Sequence, residues 1–218
     1  MITYNIRISD YTKDRLGHLR ESGFYPNSAI DIGANVGQWY SKFNQVFPET
    51  EVLSVEGNPK CEEDLSKVNS NYLISLLGKE NKSEKLYLSL EDEKCSGASI
   101  YKETTFYYDE YNTVELPMIT LDSLNREFDF IKMDVQGAEL DVISGGAKTV
   151  LNSSVLQLEL SVLEYNQGAP LIGEIISRLH DLDFEVYDIV SYCYWRERLN
   201  QIDLLFINKH KLGHLLKI

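Results

Sequence analysis

From residue 29 onward the chain alternates short apolar or β-branched runs with longer stretches of helical pattern, as in a mostly parallel sheet covered on both faces. Strands are predicted at 29–32 (AIDI), 51–56, 71–77, 128–133, 155–160, 184–189 and 202–207. Helices are predicted at 36–47, stopped by Pro48, and at 60–68, started beside Pro59; two more lie at 138–151, interrupted at Gly145-Gly146, and at 171–182. The rhythm breaks in the middle, where KLYLSL (85–90) and TVELPMI (113–119) alternate like strands with no helix between them. Pro117 places the second of these at a sheet edge, where a missing N–H is tolerated, and both are read as extra edge strands. The intervening CSGASIYKETTFYYDEYN reads as a loop or flap of the kind that carries substrate contacts. Only SYCYWRERLNQ separates the last two strands, which predicts an antiparallel hairpin with a long loop. Residues 1–28 then form an N-terminal segment, 29–208 an α/β core and 209–218 a tail docked on the body, all read as one domain.

Length agrees with that reading, since 218 residues suffice for one α/β domain with a full core. No apolar run approaches the roughly 20 residues of a membrane span. The start, MITYNIRISDYTKDR, lacks the apolar stretch of a signal peptide, so the expected location is the cytoplasm. A formal charge of −13 argues against nucleic acid as a partner, because such binding needs a basic face to displace counterions. Cys61, Cys95 and Cys193 form no CxxC pair, and His18, His180, His210 and His214 have no ligand spacing, so no metal site is expected from them.

The candidate chemistry begins at AIDIGANVGQWY, a buried strand that breaks into a glycine turn and then a helix. A dinucleotide fold wants G-x-G-x-x-G there, so that the backbone can approach a pyrophosphate. Here Asn35 stands where the second glycine belongs, and Asp31 puts a carboxylate two residues before the turn. That charge repels a pyrophosphate and suits a cofactor carrying an ammonium and a sulfonium, such as S-adenosylmethionine. Glu56 closes the second strand, where an acidic residue accepts both ribose hydroxyls in either class of nucleoside binder.

DIGANVG, SVEGNP, LLGKE, TLDSL and above all FIKMDVQGAELDVISGG resemble the FkbM-type methyltransferases, from about residue 29 to 159 and more weakly to 208. The resemblance implies a Rossmann-like class I methyltransferase fold. Its mostly parallel seven-stranded sheet would carry helices on both faces, the C-terminal β-hairpin and the extra edge strands in the middle. It further implies S-adenosylmethionine as cofactor, with S-adenosylhomocysteine as product, and O-methylation of a small-molecule or glycan acceptor. Carried over residue by residue, it assigns Asp31, Gly33, Ala34, Asn35 and Gly37 to the methionine end of the cofactor, and Glu56 with Gly57 to the ribose. The stretch Ser75-Leu76-Leu77-Gly78, with Ser75 and Leu76 foremost, would lie near the adenine. Gln136 stands where the family pattern often has Glu, and Ser96, Gly97, Ala98 and Ser99 resemble a further family motif.

In an open α/β sheet the ligand lies over the carboxyl ends of the strands. Asp134 follows the strand FIKM and is the first candidate for base, substrate anchor and cofactor contact. Glu159, at the end of VLQLEL, is the second, and Glu139 is the third. Methyl transfer to a hydroxyl is an in-line displacement in which a poor nucleophile loses a proton, and carboxylates raised by burial and like charges are suitable bases. The plainer alternatives are a first-turn helix-dipole role for Glu139 and strand-end roles for the other two. A divalent ion held by the three carboxylates is a further alternative that no metal signature indicates. Tyr107, Tyr108, Tyr192, Tyr194 and Trp195 are candidates to stack on a sugar ring, with core packing as the alternative; Arg196 and Arg198 are candidates to attract an anionic substrate group. Two competing functions stay open at this point: a nicotinamide-dependent oxidoreductase and a non-catalytic cofactor-binding protein.

Overall fold

A computed structural model describes residues 6–90, 97–105 and 108–217. Its strands and helices run β1 (Ile6–Asp10), α1 (Thr12–Glu21), β2 (Ser28–Ile32), α2 (Gln38–Val46), β3 (Glu51–Glu56), α3 (Glu62–Val68), β4 (Tyr72–Ile74), β5 (Leu76–Leu77), β6 (Lys82–Ser89), β7 (Tyr111–Ile119), β8 (Phe130–Met133), α4 (Glu139–Gly145), α5 (Ala147–Leu151), β9 (Val155–Ser161), α6 (Ile172–Asp181), β10 (Phe184–Trp195), β11 (Arg198–Asn208) and α7 (Lys209–Leu212). The main sheet has eight strands in the order β1-β10-β11-β9-β8-β2-β3-β4. The neighbours from β9 through β4 pair parallel, and those from β9 out to β1 pair antiparallel.

The fold class is as the sequence implies, with three corrections. The eighth strand is β1, supplied by the segment expected to precede the core: its residues pair with the end of β10, from Ile6 opposite Trp195 to Asp10 opposite Ser191. The middle strands are not edge strands of the main sheet. β7 pairs with β6 on one side and β5 on the other in a separate three-stranded sheet, order β5-β7-β6, so Pro117, expected at an edge, lies in the central strand, opposite Ser83 and just before the residues that pair with β5. The run 71–77 is accordingly two short strands, β4 in the main sheet and β5 in the small one, with Ser75 at the step between them. Finally, the hairpin loop is short. Tyr192 to Trp195 and Arg198 to Gln201 continue the ladder, leaving Arg196 and Glu197 as the turn, with Arg196 at φ 58°.

Helical spacing explains which faces are buried. Thr12, Leu16 and Leu19 of α1 and Trp39 and Phe43 of α2 turn inward onto one face of the sheet. There Trp39 stacks on Phe43 at 4.6 Å and Phe43 meets Phe130 edge-on at 5.2 Å. Leu205 and Ile207 of β11 belong to the same cluster, and Leu212, Leu215 and Leu216 of the tail pack against it, so the tail docks as expected. The opposite face packs Val142, Ile143, Val150, Ile175 and Leu179 of α4, α5 and α6 on Ile131, Leu156 and Leu158. Gly145, the last residue of α4, must be glycine because its position leaves no room for a side chain: a Cβ there would lie 2.0 Å from the Gly78 carbonyl oxygen. Among the described residues no helix is long and apolar enough to cross a membrane.

Candidate active site

Strand order reverses at β2, whose chain continues to β3 on one side while β8 lies on the other. The carboxyl ends of β2 and β8 flank the crevice where an open sheet binds ligands. They are tied together closely. The Asp134 N–H donates to the Ile32 carbonyl at 2.9 Å, and a Cβ on Gly33, at φ 78°, would lie 1.8 Å from the Asp134 carbonyl oxygen. Glycine at 33 is therefore required by this close approach as well as by its dihedral angle.

A cleft of about 190 Å³ opens above this junction. Gly33, Asn35, Glu56, Gly57, Ser75, Leu76 and Asp134, all named from the sequence as cofactor residues, line it. Asp31, Ala34 and Gly37 do not. Asp31 is fully buried beneath the turn and ion-pairs with Lys132 at 3.2 Å, Ala34 donates its N–H to the Val55 carbonyl, and Gly37, at φ 85°, packs its α-carbon toward Val68. These three shape the turn from behind. Leu77, from the run expected near the adenine, joins Leu86 of the small sheet, Ala98 and Ile100 in an apolar wall, with Ser99 beside it; the sequence did not place Leu86 or Ile100 there. Glu56 accepts from the Asn35 N–H and the Asn58 N–H, each at 2.7 Å, one bond per carboxylate oxygen. Each oxygen keeps a lone pair for a ribose hydroxyl. Burial pushes its pKa up, and the two amides act in the opposite direction.

A second cavity, of about 430 Å³, lies beside the first, and Asp134 and Gln136 line both. Its far walls are Ile6 and Ile8 of β1, Trp195 and Cys193 of β10, Asn200 and Gln201 of β11, and Gly97, Glu103 and Thr105 of the middle segment. Glu159 and Tyr165 complete it. Gln136, held at φ 52° with Gly137 at φ 102° behind it, is the hinge of the arrangement. Its side-chain amide donates to Asp134 at 2.8 Å and to Glu159 at 2.6 Å, while its oxygen accepts from the Tyr165 hydroxyl at 3.2 Å. Its backbone carbonyl accepts from the Ser99 hydroxyl and the Asn166 amide, both at 2.7 Å. Gln201 gives Glu159 a further bond at 2.7 Å.

The electrostatics follow from crowding. Lys132 lies between Asp31 and Asp134, at 3.2 and 3.4 Å. Burial opposes its charge, but Asp31, Asp134 and Asp203 outweigh it and hold the ammonium above the ordinary lysine range. One lysine cannot neutralise every carboxyl around it. Burial first, then Asp134 and Asp203, push Glu159 well above the carboxylate range. Asp203, likewise buried and beside Asp134, is pushed up to about 6.

Glu139 does not join this group. It is 2% exposed, lines neither cavity, and accepts from the Val135 and Gly137 N–H groups at 3.2 and 3.3 Å, clamping the loop that carries Asp134 and Gln136. Burial raises its pKa to about 7. The unfolded chain releases this proton near pH 4.5 and the folded chain near 7, so over that window the folded state binds more protons and stability falls as pH rises. The loss is on the order of 3 kcal/mol. Glu139→Gln is expected to flatten this slope, measured as the difference between wild-type and variant urea midpoints at pH 5 and pH 8; parallel behaviour of the two proteins would refute it.

Several other side chains lie away from where the sequence suggested. Tyr192 and Tyr194 line a separate open hollow with Arg7, Ser9 and Leu199, on the other face of the hairpin. Tyr108 is buried, and Arg196 and Arg198 are exposed at the hairpin turn, outside both cavities. Ser96 and Tyr107 lie outside the described residues. Among the described residues no group of three or more His, Cys, Asp or Glu side chains is arranged to hold a metal ion.

Comparison with known proteins decides the family. The methyltransferase FkbM domain family matches residues 31–186. The chain belongs to the FkbM methyltransferase family. Among solved structures, the methyltransferase FkbM from Methylobacillus flagellatus KT superposes with a TM-score of 0.57 at 13% identity, covering 91% of this chain and 48% of that one. The magnesium protoporphyrin IX methyltransferase from Synechocystis PCC 6803, solved with S-adenosylmethionine bound, gives a TM-score of 0.50 at 12% identity over 90% of this chain and 78% of that one. At such identity the likeness is one of fold. This chain spans about half the length of the Methylobacillus protein. No curated protein matches at a significant level.

The FkbM match covers the turn at 33, the loop at 134–139 and all of β9, but stops before β11 and begins after β1. The residues that sequence reasoning missed fall partly outside it: Gln201 and Asp203 come from β11, and Ile6 and Ile8 from β1. Inside it, Lys132 could have been found, because a lysine in the otherwise apolar strand FIKM needs a buried partner.

Proposed function

We propose that the protein is an S-adenosylmethionine-dependent methyltransferase acting on a hydroxyl of a carbohydrate or other small natural product. The observation that carries this reading is the shared border of the two cavities, at which Asp134 faces both the cofactor cleft and the acceptor cavity. The donor set of the cleft fits the cofactor: its described lining has the carboxylates Glu56 and Asp134 and no lysine or arginine, which favours a cationic sulfonium over a pyrophosphate. S-adenosylmethionine, when bound, supplies a methyl group activated on sulfur. Glu56 would hold its ribose, Leu76, Leu77 and Leu86 would flank its base, and Asn35 with Gly33 would border the methionine end. Asp134 would accept the hydrogen bond of the acceptor hydroxyl and take its proton, steered by the Gln136 amide that also holds Glu159. The cytoplasm is the proposed location, since that is where the cofactor would be met.

Thermal unfolding with S-adenosylhomocysteine and, separately, NAD tests the cofactor. A ligand at about 100 times its Kd adds roughly 2.7 kcal/mol, and each kcal/mol moves Tm by about 2–4 °C in a domain of this size. A rise of several degrees with S-adenosylhomocysteine alone is expected. Glu56→Ala should weaken that ligand about 10- to 100-fold, the effect of losing hydrogen bonds to a charged group. A rise with NAD alone, or with neither ligand, would overturn the reading.

A further inference from the structure

Resting on the acceptor cavity of the preceding reading, we propose that the acceptor carries a protonated amine, as an amino sugar does, and that Glu103 receives it. The charged side chains of the cavity's described lining are all acidic. Asp134, Glu159 and Glu103 contribute carboxyl groups to it, and its described lining contains no lysine, arginine or histidine. Lys132 does not compensate, because it sits behind Asp134, 5% exposed, bridging to Asp31.

Two further groups in the cavity point to a ligand rich in donors. The Asn200 side-chain oxygen is buried and has no hydrogen-bond partner among the described residues. A buried acceptor left unpaired costs about 1–3 kcal/mol, which a bound N–H or O–H removes. Glu103 is half-buried, and burial lifts its pKa; among the described residues the hydrogen bond of its side chain is the one it accepts from the Thr105 hydroxyl on the same loop. A carboxylate oxygen has more lone pairs than this contact uses. Glu103 also has no part in the Asp134–Gln136–Glu159 network, so its charge is available for recognition while that network handles the hydroxyl.

Shape supports the same class. Trp195, Ile6 and Ile8 give the cavity an apolar side facing the acceptor groups, as the two faces of a sugar ring require. An anionic sugar would bring its charge against these carboxyl groups with no lysine, arginine or histidine in the described lining, whereas an ammonium is attracted and donates up to three hydrogen bonds.

The test is a calorimetric or NMR titration of the whole protein with D-glucosamine, D-glucose and D-glucuronate at pH 7, with and without S-adenosylhomocysteine. Glucosamine is expected to bind roughly tenfold more tightly than glucose, the order of one partly buried ion pair, and glucuronate more weakly than either. Glu103→Gln should reduce the glucosamine preference to about twofold, and raising the pH until the sugar amine is neutral should do the same in the wild type, with no change to the fold. Equal affinities, tighter glucuronate, or no binding of glucosamine would overturn the proposal. Amine preference without any response to S-adenosylhomocysteine would leave it standing and remove the methyl-transfer reading; the reverse pattern would do the opposite.

Discussion

Asp134→Asn is expected to lower the rate of methyl transfer about 10²- to 10⁴-fold, the usual worth of a positioned base. The substitution is nearly isosteric and its oxygen still accepts from Gln136, so the loop keeps its shape and S-adenosylhomocysteine affinity changes far less than the rate. The readout is the transfer rate with an acceptor sugar at saturating cofactor, set beside the thermal shift of the same variant. Full activity in Asp134→Asn together with loss of activity in Glu159→Gln would move the base to Glu159. The physical ground for preferring Asp134 is access: it lines both cavities, whereas Glu159 lines only the second and already accepts two amide bonds on one oxygen.

The largest effect on stability is expected at Gly33. Alanine there would have to hold φ 78° and place its Cβ 1.8 Å from a backbone oxygen that is itself fixed by the parallel pairing of β2 and β8. The left-handed conformation alone costs an ordinary residue about 1–2 kcal/mol. The collision adds strand separation, and a total above roughly 4 kcal/mol is expected, with cofactor binding lost as well. Gly23→Ala is the comparison that separates the two terms, because Gly23 sits at φ 92° with nothing within 4 Å of a built Cβ. Urea denaturation should show a loss of about 1 kcal/mol for Gly23→Ala and several times that for Gly33→Ala. Equal losses would mean that the dihedral angle alone sets the requirement at 33.

What could be read from the sequence and what could not divide along the range of the interactions. The parallel core from β2 to β9 was legible because each element carries its own signal: an apolar run, a glycine turn, a helix stopped by Pro48 or broken at Gly145-Gly146. The glycine turn after β2 and the place of Glu56 at the end of β3 were legible for the same reason, as local motifs at fixed spacing. Strand β1 was not, since IRISD alternates weakly and all but one of its residues are exposed; only its pairing with Tyr192 to Trp195 makes it a strand. The hairpin loop was misjudged for the mirror reason, because those residues become strand only when β1 lies beside them. β6 and β7 were seen as strands and assigned to the wrong sheet, a choice made by Leu76, Leu86, Leu88 and Met118 packing together over the cofactor cleft. Glu139 looked catalytic from its place beside Asp134, and its actual role depends on a loop conformation, with Gln136 and Gly137 both left-handed, that turns two N–H groups back toward it.

The pairing of Ile6 with Trp195 joins positions separated by most of the chain, so closing the acceptor cavity is the least local event in folding this protein. The cofactor cleft, built within residues 32–138, can be complete before the two ends meet. Chains released from denaturant should therefore regain affinity for S-adenosylhomocysteine earlier than affinity for an acceptor. The same separation lets the cavity walls in β1 and the hairpin tip change by substitution without disturbing the residues that line the cleft at the end of β2.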